Sequence, residues 1–210
     1  GSVSTLAPGN VSVQPEEPEE GETPAASGPN VMDIDFDALI ANETDSTLKD
    51  MHEYFRDRTP TEKNQYTGMF QGKNLLLFTG EAFWIGAVNE QYTPTLYKLA
   101  HSGFVFENFY NPLWYYSTVD GEYAATTGLI PTNQVNASQR YAGKNGVSMY
   151  FSMGNQLRAL GYPTLAYHNN TANYYDRNLS HPNLGYDFYA CDTGLDVAMT
   201  WPQSDLEMMQ

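Results

Sequence analysis

Cysteine is almost missing from this chain. Cys191 is the only one in 210 residues, which excludes an internal disulfide and any multi-cysteine metal site. Basic residues are scarce too. Ten Lys+Arg stand against 25 Asp+Glu, a formal net charge of −15, and no Lys/Arg cluster of the kind that grips a phosphate backbone is present. Nucleic acid is therefore not an expected partner. No run approaches the roughly 20 apolar residues that cross a bilayer, and no signal-peptide pattern appears. His52, His101, His168 and His181 show no metal-ligand spacing among themselves. Gly68–Asn74 lacks the spacing and the Ser/Thr of a phosphate-binding P-loop, and it precedes an expected strand where such a loop would follow one.

What is present suffices for a packed core: 41% hydrophobic residues, 14% aromatic, with sixteen tyrosines. Tyrosine joins apolar area to a polar tip, which suits a surface facing sugars or lipid headgroups; a tyrosine-rich α/β core is the plainer reading. Residues 1–31 are rich in Pro, Glu, Gly, Ser and Thr, include Glu16, Glu17, Glu19, Glu20 and Glu22, and read as an acidic tail or linker. Residues 32–72 read as a helical lead-in, with a helix over Ser46–Arg58 carrying Leu48, Met51, Tyr54 and Phe55 on one face. Residues 73–210 form the main region.

Within that region, strand and helix signals alternate. Residues 74–79 predict a strand. Thr93-Pro94 opens a helix that Gly103 closes, and Phe104, Phe106 and Phe109 predict a second strand. A helix follows Thr118 to about Leu129, another runs from Ser148 to Leu160 with Gly161 as its stop, and Pro163–Tyr167 predicts a third strand ending at His168. The economical fold class is α/β, a mostly parallel sheet flanked by helices. Ligands collect at the carboxyl ends of strands in such sheets, where Glu81 and His168 fall.

Three clusters carry candidate chemistry. Glu81 directly follows the apolar strand pattern, and a carboxylate there needs a partner: a helix N-terminus, an arginine or a metal. Thr118 lies in Ser117-Thr118-Val119-Asp120-Gly121-Glu122, a composition typical of a helix start. A hydroxyl there can also be an attacking group, because the helix N-terminus favours anionic oxygen and a metal lowers the hydroxyl's pKa. The run from His168 to Arg177 places a histidine, amides, aromatics and an arginine just past a strand. An arginine fork suits phosphate oxygens, and a polar loop with a surface Arg–Asp pair would have the same composition.

Taken in order, Glu81, Thr93–Gly103, Thr118–Glu122, His168–Arg177 and Gly185-Tyr186-Asp187 resemble the extracellular catalytic domain of lipoteichoic acid synthases, a family within the alkaline phosphatase/sulfatase superfamily. Ser204-Asp205 extends the likeness. The resemblance implies an alkaline phosphatase/sulfatase-like fold of which 73–210 is the N-terminal part. It implies a Mn²⁺ ion, with Mg²⁺ or Zn²⁺ as alternatives, held by Glu81 and Thr118, with Thr118 as nucleophile. His168, Tyr175 and Arg177 would line a phosphoglycerol pocket. The implied activity is phosphoglycerol transfer from a phosphatidylglycerol-type lipid to a polyanionic polymer.

The implied location is the outer face of the membrane of a Gram-positive bacterium, with the anchor upstream of this chain. The family's Asp-His metal pair would lie downstream, so the fragment alone is expected to be inactive. Three positions depart from the family pattern: Thr79 for a histidine, Tyr175 for a tryptophan and Asn170 for an aspartate. All three belong to the implied substrate pocket. They leave open a phosphoethanolamine transferase or another phospho- or sulfo-ester enzyme of the superfamily. A non-catalytic glycan- or polymer-binding module is the alternative outside enzymology.

Overall fold

A computed structural model describes residues 27–80, 83–110, 117–131, 138–198 and 205–209. The chain divides into two compact units, Gly1–Phe78 and Thr79–Gln210. In the first, α1 (Phe36–Asn42) and α2 (Ser46–Arg56) form a helical pair. Each starts on an aspartate. Asp35 accepts from the Ala38 amide at 2.9 Å, and Asp45 accepts from Thr47 and Leu48 at 2.8 and 3.1 Å, satisfying amides that a helix's first turn leaves unpaired. The predicted helix over Ser46–Arg58 is therefore α2. It stops two residues short because Pro60 disfavours helical backbone just before it. Its apolar face stays exposed: Leu48, Met51, Tyr54 and Phe55 all remain open to solvent.

In the second unit a 3₁₀ turn (Ile85–Ala87) precedes α3 (Pro94–His101), which Pro94 opens at its first turn as expected. Its end is capped by Ser102, whose hydroxyl donates to the Lys98 carbonyl. α4 (Ser117–Thr127) follows, then α5 (Ser138–Asn145) and α6 (Met153–Ala159). The strands β1 (Leu165–His168) and β2 (Asp187–Ala190) are parallel, joined through α7 (Arg177–Asn183), and α8 (Asp205–Met208) closes the described chain.

The α/β reading holds for this β1–α7–β2 crossover and its two-stranded parallel sheet. It does not extend to the two earlier predicted strands. Residues 74–79 and 104–109 form no strand, and Leu75, Leu76, Leu77, Phe78, Phe104 and Phe106 are exposed. A strand needs a neighbouring strand to pair with, and among the described residues the sheet holds β1 and β2 alone. α5 has no counterpart in the sequence-based reading. Its sequence, Ser-Gln-Arg-Tyr-Ala-Gly-Lys-Asn, is nearly all polar and shows no apolar stripe.

The core lies in the second unit: Val119 and Tyr123 from α4, Ala142 from α5, Ala172 before α7, Leu184 after it and Ala190 at the end of β2. Two glycines decide how closely it packs. A side chain at Gly143 would meet the Leu179–Ser180 backbone at 2.9 Å, so α5 and α7 touch through it. Gly185 (φ +93°) ends α7, where its amide donates to Pro182 and the next amide, Tyr186, donates to His181. The Gly185-Tyr186-Asp187 motif thus has a structural job: stop the helix, pack Tyr186 on Gly154 and start β2. Gly161 stops α6 through the same pair of bonds, to Arg158 and Leu157, as its position predicts.

Candidate functional site

His168 ends β1 and pairs in register with Ala190, the last residue of β2, so the loops beyond both strands leave the same edge of the sheet. Those loops are tied together. Cys191 donates its amide to the Asn170 carbonyl at 3.1 Å, and Asp192 accepts the Ala172 amide at 2.7 Å. The loop after β1 then turns through Tyr174–Asp176 into α7. Tyr175 (φ 58°) and Asp176 (φ 56°) are both left-handed, a conformation that costs a residue with a side chain about 1–2 kcal/mol each. Consecutive left-handed residues persist only where surroundings impose them.

The surroundings are two ion clusters. Asp176 accepts from Arg140 Nε at 2.8 Å and Nη2 at 2.5 Å, and lies 3.0 Å from Lys144 Nζ. Arg140 and Lys144 sit four residues apart on one face of α5. Hydrogen bonds from Arg140 and then Lys144 hold the Asp176 carboxyl below the usual carboxylate range. The second cluster is centred on Arg177, which is 2% exposed. Its Nε reaches both oxygens of Glu122, at 3.0 and 3.2 Å, and Nη2 binds the same carboxylate. Nη1 lies 3.2 Å from His168 Nε2 and 3.4 Å from the Tyr174 carbonyl. A guanidinium only donates, so His168 Nε2 accepts in this contact and the ring proton sits on Nδ1.

Between the clusters stands Tyr175. Its ring centroid is 5.3 Å from the Arg177 guanidinium carbon and 5.9 Å from that of Arg140, within cation–π range on both counts. Tyr174 stacks nearly parallel to His168, with centroids 6.2 Å apart. His181, one turn along α7, packs against Phe188 at 4.7 Å, and burial pushes its pKa down to about 4. It is therefore neutral near pH 7.

The expected pocket residues His168, Tyr175 and Arg177 are thus brought together. Thr118 lies in the first turn of α4, half-buried, at the helix start its surroundings predicted. Glu81 lies outside the described residues. Sequence reasoning noted Glu122 only as the last residue of the Thr118–Glu122 motif and gave it no site role, although its spacing of four from Thr118 puts both on one helix face. Arg140 and Lys144 carried no signal, because their partner Asp176 is distant in sequence. The pair Glu122–Arg177 is costly to break: removing one member of a buried pair typically destabilises by about 3–5 kcal/mol. For Arg177 to contact a ligand phosphate directly, Glu122 has to yield.

A threonine hydroxyl and a carboxylate are oxygen donors that suit a hard or borderline divalent cation. Of that pair the described residues supply Thr118 alone, and among them no group of three His, Cys, Asp or Glu side chains is placed to hold a metal. No helix among them is long and apolar enough to cross a membrane.

Over 168 residues, 75% of its length, this chain is 25% identical to lipoteichoic acid synthase 2 of Bacillus subtilis (strain 168). The match spans a quarter of that relative's length, 25%. No solved structure matches at a significant level. The sulfatase family matches residues 73–208, the region holding α3 to α8 and every residue of both ion clusters. The chain belongs to the sulfatase family, a superfamily of metal-dependent ester transferases and hydrolases.

Proposed function

We propose that this domain transfers phosphoglycerol from a phosphatidylglycerol-type lipid, with Thr118 as nucleophile. The observation that carries this reading is the joining of two separate motifs. α4, which carries Thr118, is bound through Glu122 to Arg177 beside His168. The similarity to lipoteichoic acid synthase 2 supports a substrate of the kind that lipoteichoic acid synthesis uses.

In the first step the Thr118 oxygen forms a bond to phosphorus, and the phosphorus–oxygen bond to diacylglycerol breaks. The departing oxygen takes up a proton, and the threonine proton is lost to solvent. A polymer-end hydroxyl then attacks the phosphothreonine, gives up its own proton and returns the hydroxyl to Thr118. The first turn of α4 stabilises negative charge on the attacking oxygen and the phosphoryl group. His168 and Tyr175 would face the glycerol phosphate, with the Arg177 charge behind them. A divalent cation, Mn²⁺ or alternatively Mg²⁺ or Zn²⁺, held by Glu81 and Thr118, would supply charge neutralisation and a lowered hydroxyl pKa. The reading places the domain on the outer face of a Gram-positive membrane.

The test is Thr118→Ala in the longer native protein, assayed for diacylglycerol release from phosphatidylglycerol vesicles. A loss of at least about 1,000-fold is expected, since no other step replaces the nucleophile. Retained release would end this reading. Phosphoethanolamine transfer is the second reading, left open by the departures at Thr79, Asn170 and Tyr175 from the family's pattern. Faster release from phosphatidylethanolamine in the same assay would select it.

A further inference from the structure

We propose that Glu122 is a positioning residue for the transfer reaction: by gripping the Arg177 fork, it sets the rotation of α4 and so the aim of the Thr118 hydroxyl. This rests on the nucleophile reading and deepens it. α4 has the sequence Ser-Thr-Val-Asp-Gly-Glu-Tyr-Ala-Ala-Thr-Thr, with no pronounced apolar stripe and a glycine in its second turn. Such a helix has little hydrophobic face to fix its rotation. Val119 and Tyr123 are its buried apolar anchors. Glu122 adds a directional one, a two-pronged bond to a guanidinium that is itself held by His168 and the Tyr174 carbonyl.

Each residue of a helix is turned about 100° from the last, so residues four apart share a face. A rotation of α4 that slackens the Glu122–Arg177 bond therefore swings Thr118 by the same angle. In-line attack tolerates little misplacement, and an error of about 1 Å can cost 100-fold in rate. Glu122 touches Arg177, and the proposal requires no contact between it and substrate. Its loss is accordingly expected in kcat, with substrate affinity little changed.

The experiment compares wild type, Glu122→Gln, Thr118→Ala and the double variant Glu122→Gln/Arg177→Gln with Arg177→Gln, all in the longer native protein. Each is assayed on phosphatidylglycerol vesicles well below its melting temperature. Glu122→Gln is expected to lose roughly 10–100-fold in kcat with KM within about threefold, and the double variant is expected to be no worse than the worse single variant. A folded Glu122→Gln protein with kcat within about twofold of wild type would overturn the proposal. So would a loss confined to KM, or losses that multiply in the double variant.

If Glu122→Gln does not fold, Glu122→Asp decides, because it keeps the charge and withdraws it by one methylene. The same fall in kcat is expected there, and wild-type kcat would be fatal. Full activity in Thr118→Ala would instead defeat the nucleophile reading, so the two failures are distinguishable.

Discussion

Leu75–Phe78 and Leu165–His168 are both apolar-led stretches, and only the second is a strand. The first stays exposed along its length, whereas the second pairs residue for residue with Asp187–Ala190. Hydrophobicity does not separate them; the earlier stretch is the more apolar. Pairing does. The β1–α7–β2 crossover brings its second strand back within the next helix, so closing the loop costs little chain entropy. Residues 104–109 follow 74–79 after the helix α3, at a comparable separation, yet among the described residues the sheet holds β1 and β2 alone. A strand is a pairwise object, and an apolar run is only half of one.

This contrast can be broken by truncating one leucine on each side of it. Leu184 is 1% exposed and sits between α7 and β2. Leu184→Ala is expected to destabilise the second unit by about 2–5 kcal/mol, read from the midpoint of urea unfolding. Unchanged stability would mean that the crossover is not the core.

A smaller effect follows from pH. His181 has its pKa lowered from 6.5 to about 4 by burial, with Glu122 opposing that shift and the Arg177 charge adding to it. The unfolded chain then binds the extra proton between those values. Stability attributable to His181 is complete above about pH 6.5 and is lost as pH falls towards 4, a change of at most roughly 3 kcal/mol. Asp176 works in the same direction lower down, since its depressed pKa adds stability that disappears as pH falls through its folded value. His181→Gln should flatten the pH 4–6.5 limb in urea unfolding series while leaving the more acidic limb, where Asp176 titrates, in place. An unaltered pH 4–6.5 limb would show that His181 is not buried neutral.

The smallest expected effect is on the other side of the contrast. Leu76 is 76% exposed, and Leu76→Ala should change stability by less than about 0.5 kcal/mol. A loss comparable to that at Leu184 would show that residues 74–79 pack against something after all.

Much of the local structure was legible from residue order. Ser46 and Pro94 mark helix starts, Gly161 marks a stop, and Thr118 stands at the head of a helix, because caps depend on a few neighbouring backbone groups. The grouping of His168, Tyr175 and Arg177 was legible for the same reason: one loop holds all three. α5 was not, since polar helices owe their existence to what they touch. Its Gly143 contact with α7 and its Arg140 and Lys144 bonds to Asp176 all join residues far apart in sequence.

Residue order by itself determined several helix starts and stops, the membership of the β1 loop and the family to which residues 73–208 belong; it did not fix the start of α6, expected at Ser148 and found at Met153. Tertiary structure alone decided that Arg177 is buried on Glu122, that Tyr175 lies between two guanidiniums and that Asp176 is held left-handed. The physical reason is range. Caps and turns are settled within a few residues, whereas an ion pair or a strand pair exists only when the fold delivers the distant partner.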